Sequence, residues 1–196
     1  MESKNNDYEE KLTRARSYKD KYMPQLPYHN KRHADDVEFE FTRLATLEGI
    51  SQYDINIGRS AAIGHDLVQI VGDKYNEEKT ANLIMVTYPL FGYTLEETKR
   101  IAEMIPATKM PSSPKNHLEQ ILCDADIANL GRLDFLERNT EVKAELGVKD
   151  DYTWYIGTLK FLENTQFYTA SARKLYGEQR EKNIAYLKEI INKFPR

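Results

Sequence analysis

The strongest constraint on this chain lies between residues 54 and 71, where Ala61, Ala62, Ile63, Leu67, Val68, Ile70 and Val71 leave the sequence apolar nearly all round. A helix with no polar face must be buried on every side, so other helices have to pack around it. The spacing predicts this central helix over about 54–71, closed by Gly72. The flanking sequence supplies its neighbours. A frayed stretch over 1–6 precedes a first helix from about Asp7 to Met23, stopped by Pro24 and Pro27. A second starts near Tyr28, carries Val37, Phe41 and Leu44 at spacings of four and three, and ends by Gly49. Helices over about 77–88 and 94–105 follow, parted by Pro89 and Gly92, and the prolines and serines of 106–114 predict a loop. Helices over about 115–130, 132–146, 151–164 and 169–193 complete the chain. No run alternates strictly over enough residues to argue for a sheet. The expected fold is all-α, with about eight or nine helices.

A length of 196 residues suits one domain able to bury a real core. With 40% hydrophobic and 30% charged residues, the chain is too rich in core-formers for disorder and too polar for a membrane protein. No stretch approaches the roughly 18 apolar residues of a spanning helix. Lysine and arginine total 28 against 31 acids, a net charge of −3, which gives no electrostatic case for general nucleic-acid or anionic-membrane binding. Small partners are expected. The single cysteine, Cys123, cannot form an internal disulfide, and the opening MESKNNDYEE lacks the apolar core of a secretory signal. Both fit a reducing cytoplasm. One cysteine also excludes a thiolate cage, so a metal here would have to sit on His, Asp, Glu and water.

Only four histidines occur, and three fall in two clusters, YHNKRHADDV over 28–37 and AAIGHD over 61–66. On a helix His29 and His33 would stack on one face, about 6 Å apart. His33 also shares the stripe of Val37, Phe41 and Leu44 and should point inward, where an imidazole needs a partner. His65 and Asp66 interrupt the most apolar helix, and a carboxylate there costs several kcal/mol unless a cation neutralises it. Asp124 and Asp126 interrupt a third apolar run, ILCDADIANL. Three helices thus bring His33, His65 with Asp66, and one of Asp124 or Asp126 to a possible meeting point. Two neutral imidazoles and two carboxylates would balance one divalent ion and leave positions for water, as a catalytic site requires. Taken singly, each element also fits a satisfied core pair or a solvated helix face. Glu77 and Glu78 suit an ordinary charged first turn, with Glu77 the better placed to orient water or hold a ligand's hydrogen bond. Arg32, Lys74, Lys109 and Arg173 are the basic candidates for contact with an anionic ligand, although each also fits a solvated surface charge. His117 is expected at the surface, and Arg173 to Lys193 reads as a solvated face backed by Leu175, Leu187 and Ile191.

The order H, HD, D resembles the HD-domain superfamily of metal-dependent phosphohydrolases, all-helical enzymes whose four ligands follow that order. The likeness spans about 28–131 and continues more weakly through 164–175. Within the superfamily the chain is similar to a group of small HD phosphohydrolases marked by YHNxxH, HD, an NE pair and DAD(I/L)xxLG, here Tyr28 to His33, His65-Asp66, Asn76-Glu77 and Asp124 to Gly131. The resemblance implies one domain over 1–196, with a metal-site core over 28–131 and helices 132–196 packed on it. It implies His33, His65, Asp66 and Asp126 as ligands, with Asp124 in support. YHNKRHADDV is similar too to the first metal motif of cyclic-nucleotide phosphodiesterases, which makes His29 the candidate proton donor. Those enzymes carry a further histidine where this chain has Gln69, and their purine-clamping region has no counterpart here. A cyclic nucleotide is therefore only a weak option as substrate.

The activity implied is hydrolysis of a phosphate ester or anhydride, of a nucleotide or small phosphorylated metabolite, by metal-activated water. Catalysis would rest on Asp66, His29 and Glu77, and the four basic candidates would meet the substrate phosphate. Imidazole and carboxylate ligation suits Mn²⁺, Fe²⁺, Zn²⁺, Ni²⁺ or Mg²⁺. Two other classes stand beside it: a degenerate HD module that binds a nucleotide without turning it over, as a sensor or interaction protein, and a structural helical partner whose polar core only fixes packing.

Overall fold

Side-chain caps decide where most of the helices begin. In the computed structural model, which describes residues 2–194, there are nine α-helices and no strand among the described residues. They are α1 (Glu2–Tyr22), α2 (Lys31–Leu47), α3 (Gln52–Gly64), α4 (Asn76–Thr87), α5 (Leu95–Met104), α6 (His117–Asp126), α7 (Phe135–Leu146), α8 (Tyr152–Asn164) and α9 (Ala170–Asn192). Asn30, Ser51, Thr94, Asn116, Asp151 and Thr169 each accept a hydrogen bond from a first-turn backbone N–H, satisfying donors that the helix itself leaves orphaned. At α5 the cap is reciprocal, because Glu97 returns a bond to the Thr94 backbone. The all-α expectation holds.

α3 is the central helix, packed against α1, α2, α5 and α6. Val37, Phe41 and Leu44 of α2 are buried at its side. The two helices approach so closely that a Cβ on Gly58 would stand 1.8 Å from the Phe41 ring, so only glycine fits there. Gly131 plays the same part on the far side. A Cβ on it would meet the Tyr176 backbone at 2.4 Å, and its absence lets the turn Ala128–Gly131 lie directly on α9. Arg132 adds a polar tie, paired with both oxygens of Asp36 at 2.8 and 2.7 Å and with Glu40, which also accepts from the Tyr176 hydroxyl. No helix among the described residues is long and apolar enough to cross a membrane.

Several boundaries differ from the sequence reading. α1 starts at Glu2 and not Asp7, while Met1, part of the stretch expected to fray, lies outside the described residues. α2 starts at Lys31, which leaves His29 before the helix and not on its face. Most consequential, α3 stops at Gly64 instead of running to 71. Side chains of α4 hold the backbone of 68–70 in an irregular path: Thr80 bonds both the N–H and the C=O of Val68, and Asn76 does the same for Ile70. Ile70 and Val71 are consequently exposed. The start of the 106–114 loop is wound into a 3₁₀ turn, Ile105–Thr108.

Candidate metal centre and the cavity beside it

Three helix ends meet at one point. His33 stands in the first turn of α2, oriented by Asn30, whose Oδ1 accepts from the Arg32 and His33 N–H groups. His65 and Asp66 come directly after α3, and Asp126 is the last residue of α6. The imidazoles of His33 and His65 are buried, with their Nε2 atoms 3.3 Å apart. Asp126 Oδ1 lies 3.0 Å from His33 Nε2 and 3.5 Å from His65 Nε2. Asp66 Oδ2 lies 3.4 and 3.0 Å from the same two atoms. An ion held at about 2.1 Å from each of four such atoms would separate neighbouring ligands by about 3.0 to 3.4 Å.

Two further observations bear on whether these residues fit a cation. Asp66 Oδ2 is buried and has no hydrogen-bond partner, although buried polar atoms are rarely left so. His65 Nδ1 bonds the Ala62 carbonyl at 2.8 Å, which puts its proton on Nδ1 and turns the Nε2 lone pair toward the cluster. His33, His65 and Asp66 form a group able to hold a metal ion, and Asp126 touches both imidazoles. The donor set is that of a divalent first-row metal or Mg²⁺.

Without an ion the charges lean on one another. Burial pushes the Asp66 carboxyl up, but the His65 imidazole beside it outweighs this and carries it down to about 2. Asp126 is likewise lowered, burial being overcome by its hydrogen bonds to His33 and His65. Burial lowers His33, while His65 is raised well above 6.5 because Asp66 and Asp126 overcome its desolvation. Asp66 and Asp126 thus favour positive charge at the point between the two imidazoles where a cation would sit.

Asp124 is turned away from the cluster. Fully buried, it accepts from the Tyr168 N–H at 2.7 Å, the Thr169 N–H at 2.8 Å and the Thr169 hydroxyl at 2.7 Å, pinning the corner that leads into α9. Glu77 is half-buried in the first turn of α4 and makes no hydrogen bond or ion pair with the described residues. Of the four basic candidates, Arg32 pairs with Glu137 and Glu141 on the surface, and Lys109 reaches the Lys74 carbonyl. The Lys74 ammonium sits over the Tyr75 ring, and Arg173 bonds the Phe167 and Tyr168 carbonyls. His117, exposed as expected, pairs with Glu48.

His29 stands beside the cluster, its ring centroid 5.7 Å from that of His33. Its Nδ1 meets Glu145 Oε1 at 2.5 Å, and Glu145 Oε2 accepts from the backbone N–H groups of Tyr28 and His29. Burial pulls the His29 pKa down, but the Glu145 bond and the charges of Asp66 and Asp126 leave it raised. Sequence reasoning missed Glu145, which comes 116 residues after its partner with no local signal. It also missed Tyr28, whose ring packs on His33 at 4.6 Å and whose hydroxyl donates to Asn129. An aromatic next to a histidine pair was the available clue. His29 and Asp126 line a cavity of about 370 Å³ together with residues of α7 and α8.

No protein-family model and no curated protein matches the sequence. Solved structures do match its fold. Bacillus subtilis YpgQ in complex with ADP superposes with a TM-score of 0.70 at 20% identity, over 96% of this chain and 97% of that one. A Lactobacillus plantarum protein gives 0.72 at 16% identity, covering 92% and 94%. A predicted HD superfamily hydrolase from an uncultured Thermotogales bacterium gives 0.60 at 18% identity, covering 95% and 92%. The resemblance to the HD-domain superfamily is thus borne out in the fold.

Proposed function

We propose that this chain is a metal-dependent phosphohydrolase acting on a phosphate ester or anhydride, of a nucleotide or another small phosphorylated metabolite. The observation that carries the reading is Asp66 Oδ2, buried without a hydrogen-bond partner between two imidazoles whose Nε2 atoms face it. His33, His65, Asp66 and Asp126 would hold the ion. When bound, it supplies an activated water at neutral pH and a Lewis acid for a phosphoryl oxygen.

The remaining work falls to this chain's own side chains. Displacement at phosphorus frees an alkoxide that needs a proton. His29 is held by Glu145 at Nδ1, so its other nitrogen is the one able to deliver that proton. Glu145 also accepts from the Tyr28 and His29 backbone N–H groups, which limits how far the ring can swing. Asp124, turned to Tyr168 and Thr169, supports the α6 end from outside the ligand set. The ADP held by Bacillus subtilis YpgQ, a protein of the same fold, supports a nucleotide as substrate class.

The test is a screen of phosphorylated metabolites against protein stripped of metal and reloaded in turn with Mn²⁺, Fe²⁺, Zn²⁺, Ni²⁺ and Mg²⁺. Phosphate release that depends on the metal and on His33, His65, Asp66 and Asp126 supports the reading. Stoichiometric metal without turnover of any compound would move the chain to the class of degenerate binding modules. No metal under any condition would leave only a packing role.

A further inference from the structure

The cavity that opens beside His29 and Asp126 has walls of two kinds. Apolar rings and aliphatic chains dominate, with Phe135, Trp154, Phe161 and Leu162 among them. Polar atoms are few. Asn129 and Asn139 line it with their carboxamide oxygens already engaged, by the Tyr28 hydroxyl and the Thr158 hydroxyl respectively, which leaves their NH₂ groups as donors. Among the described residues no lysine or arginine lines it. Its volume, about 370 Å³, is within the range of small-molecule sites, which bury an apolar body and fix it with a few placed polar groups.

The charge balance is as informative as the shape. Two carboxylates, Asp66 and Asp126, cancel a divalent ion, so the cluster offers an incoming substrate no surplus positive charge. One phosphate can be taken up by the ion itself. A second and third would add negative charge beside a wall that no lysine or arginine lines: the buried Arg138 stands behind the Tyr28 ring at 4.8 Å and pairs with Glu141, and the four basic candidates are engaged elsewhere. We propose that this cavity receives the uncharged, ring-bearing part of the substrate, and that the substrate brings a single phosphate: a phosphomonoester of a ring-bearing alcohol, of which a nucleoside monophosphate is one example. The proposal rests on the phosphohydrolase reading and narrows it. The step is hydrolysis of the P–O ester bond, in which the alcohol leaves with a proton and water supplies the oxygen and hydroxyl proton of inorganic phosphate.

Two features of this chain make the idea directly measurable. Trp154, a wall residue, is the sole tryptophan, so tryptophan emission, excited at wavelengths that the tyrosines do not absorb, reports on the cavity. Gly157 also lines it, and a Cβ built there meets nothing within 4 Å, so a larger side chain can grow into the opening without a clash. Leucine is also a better helix former than glycine at this position inside α8.

The experiment tracks Trp154 emission in the metal-reconstituted full chain, in a stopped-flow before turnover, on mixing with AMP, ADP or ATP. AMP should give a saturable change, with ATP at least tenfold weaker and ADP between them. Gly157→Leu should weaken AMP at least tenfold and Gly157→Ala by less, a series graded by side-chain size, with far-UV circular dichroism unchanged in both. ATP binding as tightly as AMP would overturn the single-phosphate assignment, and AMP binding unaffected by Gly157→Leu would overturn the cavity. Metal-dependent hydrolysis of methyl phosphate by the wild type, with Trp154 unmoved by AMP, would sink this proposal and leave the phosphohydrolase reading standing. Saturable, Gly157-sensitive binding without phosphate release from any ester would do the reverse.

Discussion

Asp124 and Asp126 are one residue apart in the same apolar run, yet removing them should have opposite consequences. Asp124→Ala deletes a fully buried carboxylate that accepts from two backbone N–H groups and one hydroxyl. The two N–H groups, of Tyr168 and Thr169, would be left buried without a partner, at about 1 to 3 kcal/mol each. Part of this is offset, because burial raises the Asp124 pKa and the ionised carboxylate itself costs free energy in the fold. The net loss should be about 2 to 4 kcal/mol, a large fraction of the roughly 5 to 15 kcal/mol that holds a typical domain. With a urea dependence of about 2 kcal/mol per molar, the unfolding midpoint should fall by about 1 to 2 M at unchanged slope. Elemental analysis of the folded Asp124→Ala protein should still find metal. A midpoint shift below about 0.5 M would take Asp124 out of the α9 corner, and loss of the ion with full stability would assign it to the metal.

Four further outcomes are expected. Asp66→Ala should abolish metal binding while the metal-free protein stays folded, since it removes one of two neutralising carboxylates; stoichiometric metal in that variant would contradict the assignment. Because Asp66 and Asp126 raise His65 well above its ordinary value, an entering ion has to displace a proton from it at neutral pH, so affinity should climb as pH rises through neutrality toward the raised pKa. Calorimetry in buffers of different ionisation enthalpy should detect the released proton at pH 7, and its absence would remove the charged His65. His29→Ala should keep the metal yet lower kcat by about 10² or more on an alkyl phosphate, with far less effect on a nitrophenyl ester that leaves without a proton; equal losses on both would take His29 out of the acid role. Glu145→Gln removes the carboxylate that holds the His29 pKa up, so the alkaline limb of the kcat profile should move to lower pH with KM little changed; an unmoved limb would make Glu145 merely structural.

The helical class and most helix positions were legible because they rest on local terms: apolar spacing, proline and glycine stops, and capping side chains. The stripe of His33, Val37, Phe41 and Leu44 is buried as its spacing requires. Other features depend on partners far along the chain. Nothing near His29 indicates that Glu145 will close on it, and nothing near Val68 or Ile70 indicates that Thr80 and Asn76 will take their backbone groups. The bonds to 68–70 come from side chains six and twelve residues on, in the next helix, and they satisfy this backbone without further helical turns. Periodicity alone sees seven more residues, most of them apolar, and extends the helix through them.

That early end has a consequence for the site itself. A histidine and an aspartate inside a continuous helix would point about 100° apart, and the carbonyls behind them would be taken by the helix. Stopping α3 at Gly64 frees the last-turn carbonyls, and Ala62 uses its own to accept the His65 Nδ1 proton at 2.8 Å. The bond fixes the tautomer and aims Nε2 at Asp66 and Asp126. Asp66, outside the helix, is then free to turn its Oδ2 back to within 3.0 Å of the same nitrogen. Asp126 occupies the corresponding position at the end of α6, and His33 the opening turn of α2, so none of the four depends on a helix interior. The polar intrusions that look like costs within buried helices are placed where helices leave backbone groups unpaired, and that placement lets two imidazoles and two carboxylates converge from three directions.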